Sequence, residues 1–132
     1  MPDLKLAAQT AIYAALNVPA VTALAPVYQH VPDDTQPPAV VIDRMNVTAI
    51  GGKGGGLDLI EFDILTFIRE PGREHLTPIM TAVRGVLEEQ ALPAQSGVAL
   101  SRPVFEADED DVSEDGQTYS GLQRFSLVAQ AA

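Results

Sequence analysis

Two spacings of apolar residues alternate along this chain, one near 3.6 and one of 2. Leu4, Ala8, Ala11, Ile12, Ala15 and Leu16 recur at helical spacing in an alanine-rich stretch, which predicts a helix over residues 3–16 with Asp3 as its N-cap. Pro19 closes it, and residues 21–25 are expected to add one turn before Pro26. From Tyr28 to Pro38 the chain is polar and carries Pro32, Pro37 and Pro38, so it reads as an extended, irregular arm. The β-branched run beginning at Ala39 predicts a strand to Met45. A glycine-rich loop is expected over 46–56. Leu57–Ile68 alternates with period 2. Ile60, Phe62, Ile64, Thr66 and Ile68 share one face with Asp58, and that face is assigned to the core. The opposite face, Leu57, Leu59, Glu61, Asp63, Leu65 and Phe67, is apolar at its ends and acidic in the middle. A solvated sheet face is usually more polar than this. It is covered either by a neighbouring subunit or by loops of the same chain.

A turn at 69–74 leads to a second helix, with Thr77 as N-cap, Pro78 at the first helical position and an apolar face of Ile79, Met80, Val83, Val86 and Leu87. Residues 98–107 and 118–129 are the last two strands, with an acidic hairpin loop at 108–116 between them. The order α-β-β-α-β-β predicts one α+β domain over residues 1–132, an antiparallel sheet of about four strands with two helices on one face.

Composition narrows the function classes. An apolar fraction of 46% and a charged fraction of 20% suit a globular chain. With no cysteine there is no disulfide framework and no thiolate chemistry. The absence of tryptophan and an aromatic fraction of 5% argue against a base-stacking platform. The formal net charge of −10 is the wrong sign for neutralising phosphates. No run approaches the ~20 apolar residues of a membrane span. Gln9, Thr10 and Asp3 spoil the N-terminal run as a signal peptide.

Candidate chemistry is sparse. Gly51, Gly52, Lys53 and Gly54–Gly56 superficially resemble a phosphate loop, but Gly54 follows the lysine and a strand follows the loop. Asp108, Glu109, Asp110, Asp111, Glu114 and Asp115 suggest calcium. With Gly116 aligned to the glycine of a helix–loop–helix calcium site, however, the last ligand position is Leu122 rather than Glu. The favoured reading is a solvated or partner-facing loop. His30 and His75 lack ligand-spaced partners, so no metal or cofactor is expected. No nucleophile elbow is present, and the chain is not read as an enzyme.

Three blocks carry a resemblance: Tyr28–Asp34 with Pro38–Ile42, Phe62–Gly72 leading into Ile79–Leu87, and Asp115–Phe125. Together and in this order they resemble the tail-completion, or tail-terminator, proteins of long-tailed phages and gene transfer agents. The resemblance implies a non-catalytic ring subunit, commonly in a hexamer, that caps the tail tube and joins it to the head connector or stopper protein. DNA would be passing cargo, and the protein would reside in a phage-like particle assembled in the bacterial cytoplasm. On this reading Tyr28, His30, Leu57, Leu59, Leu65 and Phe67 are candidates for the subunit interface. Gly51, Gly52, Lys53 and the six loop carboxylates are candidates for partner or lumen contacts. Glu61 and Asp63 are further candidates for the channel lining. The alternative is a stand-alone α+β module that binds a small ligand or peptide.

Overall fold

A computed structural model describes residues 3–29, 36–51, 56–69 and 73–131. The first element is helix α1, Leu4–Leu16. Asp3 caps it as expected, its carboxylate accepting from the Leu6 amide at 3.0 Å. Leu4, Ala8, Ala11, Ile12 and Leu16 form its buried stripe. Pro19 does not merely end this helix. It opens a separate single turn, α2 (Pro19–Thr22), at a first-turn position where its missing N–H is harmless. A two-residue strand, β1 (Val27–Tyr28), then pairs in parallel with the start of β2 (Ala39–Ala49). Four residues expected in the glycine loop therefore belong to β2, because β3 (Leu57–Arg69) offers them an antiparallel ladder out to the Ala49–Asp58 pair.

Helix α3 runs Arg73–Glu89 and includes Pro78 in its interior, so the predicted start at Thr77 is too late. Leu76 is fully buried and anchors the added first turn in the core. Pro78 cannot donate to the Glu74 carbonyl, but both residues are exposed and water can take that acceptor. The predicted strand 98–107 is split into β4 (Val98–Leu100) and β5 (Val104–Val112), both paired antiparallel with the same edge of β6 (Thr118–Ala131). Ser101 bridges the break. Its amide donates to the Val128 carbonyl at 2.9 Å, and its hydroxyl accepts from the Val128 amide at 2.8 Å.

The architecture is α+β, and the sheet has six strands rather than about four, ordered β1-β2-β3-β6-β4 with β5 also on β6. The core lies between the sheet and the helices. Val40 and Ile42 of β2, Ile60, Phe62, Ile64 and Ile68 of β3, and Phe125, Leu127 and Ala129 of β6 meet Ile12 and Leu16 of α1 and Leu76, Val83 and Leu87 of α3. The face assigned to the core on β3 is the one buried there. Phe62 stacks on Phe125 with ring centroids 5.5 Å apart and an interplanar angle of 17°. Phe105 meets Phe125 edge-on at 5.6 Å, and the Arg84 guanidinium lies 3.8 Å above the Phe105 ring. Gly121 on β6 lets α3 approach. A Cβ there would stand 2.8 Å from Cε and 3.3 Å from Cγ of Met80.

Candidate functional site

The face of the sheet turned away from the main core carries the chain's most distinctive arrangement. Leu57, Leu59, Leu65 and Phe67 of β3 are half-buried there, as are Leu122 and Val128 of β6. Register places them in lateral rows. Val41, Leu65 and Leu122 stand side by side on β2, β3 and β6, with Tyr28 next to Val41 on β1 and Glu109 next to Leu122 on β5. A second row joins Thr48, Leu59 and Val128. Two apolar patches result, one at each end of the face.

Between them lies a row of charges, Arg44–Asp63–Arg124. Asp63 is 3% exposed, yet two guanidiniums hold its carboxylate: Arg124 Nε at 3.0 Å from Oδ1 and Arg44 Nε at 3.5 Å from Oδ2. The bond to Asp63, and then the Asp63 charge itself, raise the Arg124 pKa above its ordinary value. A register irregularity between Ile42 and Arg44 creates this row. In an uninterrupted ladder Asp43 would sit opposite Asp63, a destabilising like-charge pair. The extra residue of the bulge brings Arg44 there instead. A buried carboxylate needs such partners, because an unpaired one would lose its hydration without compensation. Asp63 is thereby paired from both sides, whereas half-buried Glu61 on the next row faces Asn46 and Ser126.

The acidic segment differs from its expected form. Asp108, Glu109, Asp110 and Asp111 are not in a loop but in β5, whose residues are exposed apart from half-buried Phe105. The β6 ladder from the Asp108–Gln123 pair to the Val112–Tyr119 pair supplies the hydrogen bonds that composition alone would leave to water. Only Glu114 and Asp115 remain in the turn before β6. That turn satisfies itself. The Asp115 carboxylate accepts from the Ser113 hydroxyl and from the Gln117 amide at 3.0 Å, bonds that hold its pKa below the ordinary aspartate value. Asp111 accepts from the Val112 amide at 2.8 Å. The would-be calcium ligands are thus engaged with their own backbone and neighbours. Among the described residues no group of three His, Asp or Glu side chains could hold a metal.

A second bulge, between Phe105 and Ala107, turns Asp108 and Asp110 toward α3. With Thr77, Met80, Thr81 and Arg84 they line a groove of about 680 Å³. Gln123, 1% exposed, is also part of its lining. Its Nε2 donates to the Met80 carbonyl at 2.9 Å, while its Oε1 has no hydrogen-bond partner within the protein.

Of the residues singled out from sequence, the sheet unites Tyr28 with Leu65 on one row, with Phe67 on the same β3 face, and places Leu57 and Leu59 at the other end. Gly51 follows β2 and is half-buried, while His30, Gly52 and Lys53 lie outside the described residues. Sequence reasoning missed Leu122, Arg124 and Val128, although the period-2 pattern of residues 118–131 puts them on one face. It also missed Arg44, whose position depends on the bulge.

The sheet thus has one face packed on helices and another that is half apolar around a row of paired charges. The tail completion protein gp17 family matches residues 10–130, and the chain belongs to that family. It is accordingly a non-enzymatic structural protein. The fold is similar to that of a chain in the structure described as "Virion of native gene transfer agent (GTA) particle", with a TM-score of 0.86 and 20% sequence identity over 99% of this chain and 100% of that one. No curated protein matches the sequence. No described helix is long and apolar enough to cross a membrane.

Proposed function

We propose that this protein is a ring subunit of a phage-like particle that caps the tail tube and joins it to the head connector, leaving a channel for DNA. The observation that carries this reading is the outer sheet face, where Leu59, Leu65, Phe67, Leu122 and Val128 remain half-exposed. Burial of that surface against a like neighbour would stabilise a closed ring at ~25 cal/mol per Å² of apolar area removed from water. Family membership and the likeness to a gene transfer agent virion chain support the setting. Six copies, a tail-tube neighbour on one side and a connector or stopper protein on the other are what the resemblance adds. Residence in the particle after assembly in the bacterial cytoplasm belongs to the same reading. The net charge of −10 suits a channel through which DNA slides without adhering.

Electron microscopy of assembled particles tests this. The expected result is a closed ring of like copies at the end of the tail tube, with Leu65 and Phe67 at the contact between neighbours. Leu65→Asp or Phe67→Asp then blocks assembly while leaving a folded chain. A particle containing one isolated copy would refute the ring.

A further inference from the structure

We propose that the open edge of β5, with the groove between β5 and α3, binds an extended lysine- or arginine-bearing segment of a partner protein, which adds to the sheet as a further strand. This deepens the reading of the chain as an assembly part and rests on it. Among the described residues β5 pairs only with β6, so its other edge is open along nine residues, a length of roughly 30 Å, with the Val112 amide at its end already taken by the Asp111 carboxylate. Strand addition at such an edge uses main-chain hydrogen bonds for affinity and alternate side chains for specificity.

Charge decides the occupant. Val104–Val112 carries Glu106, Asp108, Glu109, Asp110 and Asp111 and no basic residue. A second copy offering the same edge would be repelled, which is how charged edge strands prevent self-pairing. The free portion of β2, residues 43–49, offers only Arg44 against Asp43, and Arg44 is already engaged with Asp63. A basic segment is attracted where these are not. The groove gives an independent indication. Asp108 and the threonine hydroxyls of α3 line it together with Arg84, whose charge is already paired with Glu88 and stacked on Phe105, and the buried Gln123 in its lining has an oxygen without a donor. An ammonium or guanidinium, which only donates, complements that set.

The test uses the full chain and two synthetic octapeptides, one alternating lysine with valine and one alternating glutamate with valine. Binding is followed by amide exchange and nuclear magnetic resonance. The lysine peptide is expected to bind with salt-sensitive affinity and to protect alternate amides of β5, while the glutamate peptide does neither. Asp108→Lys combined with Glu109→Lys should weaken the lysine peptide by about tenfold or more. Gln123→Met, which retains volume but removes the acceptor, should weaken it by a smaller factor. Equal binding of both peptides, protection mapping away from β5, or indifference to the charge reversal would overturn the proposal. A ring seen in particles without peptide binding at β5 defeats this inference alone. Peptide binding by a chain that forms no ring defeats the ring reading alone.

Discussion

Phe62→Ala tests the division of β3 into a core face and an outer face. Phe62 is 1% exposed and stacks on Phe125, itself fully buried. Truncation removes most of the ring's buried area and leaves a cavity that the sheet ladder on both sides prevents from collapsing. Such substitutions cost about 3–5 kcal/mol, of which the lost ring–ring geometry accounts for roughly 0.5–1.5 kcal/mol. For a domain of this size that corresponds to a fall in Tm of roughly 10–20 °C. Phe67 lies on the opposite face of the same strand and is only half-buried. Phe67→Asp should therefore cost less than about 2 kcal/mol of folding stability, in the range of ordinary destabilising substitutions. Urea unfolding of the two variants and the parent, followed by circular dichroism, measures the difference. The m-value should stay constant, so that the midpoint alone reports stability. Equal midpoints for the two variants would refute the assignment of faces.

Gly121→Ala should lose about 1–3 kcal/mol by overpacking against Met80, and less in a Met80→Ala background where the clash is relieved; a double-mutant cycle checks this. Asp3→Ala should cost about 1 kcal/mol through loss of the N-cap, measured by thermal unfolding. The Asp115 carboxyl, bonded by Ser113 and the Gln117 amide, should titrate below the ordinary aspartate value. Its folded-state pKa is depressed, so its stabilising contribution is present above the unfolded pKa and is lost as pH falls through the folded one. Ser113→Ala should move the titration upward in a carbon-detected resonance experiment. The free protein should show no affinity for duplex DNA at ~0.15 M salt, because phosphate binding needs several cationic contacts. Tight, salt-sensitive retention of DNA in a fluorescence anisotropy titration would contradict the passive role.

Local chemistry determined α1 with its Asp3 cap, because capping and an alanine-rich apolar stripe act within a few residues. Period-2 alternation likewise determined which residues of β3 face the core, since a strand inverts successive side chains whatever surrounds it. Absence of cysteine and the acidic balance limited the chemistry, and three sequence blocks pointed to the family. The tertiary structure decided what depends on partners distant in sequence. Residues 46–49 and 108–112 became strand because β3 and β6 offered ladders that composition does not reveal. Helix α3 extends through Pro78 because burial of Leu76 outweighs a missing hydrogen bond at an exposed carbonyl. The two bulges each insert one residue, set the register, and thereby place Arg44 beside Asp63 and Asp108 against α3. A one-residue shift reverses the face of every side chain beyond it. The strand's local pattern is unaffected by that shift, so the charged row and the acidic groove exist only in the folded sheet.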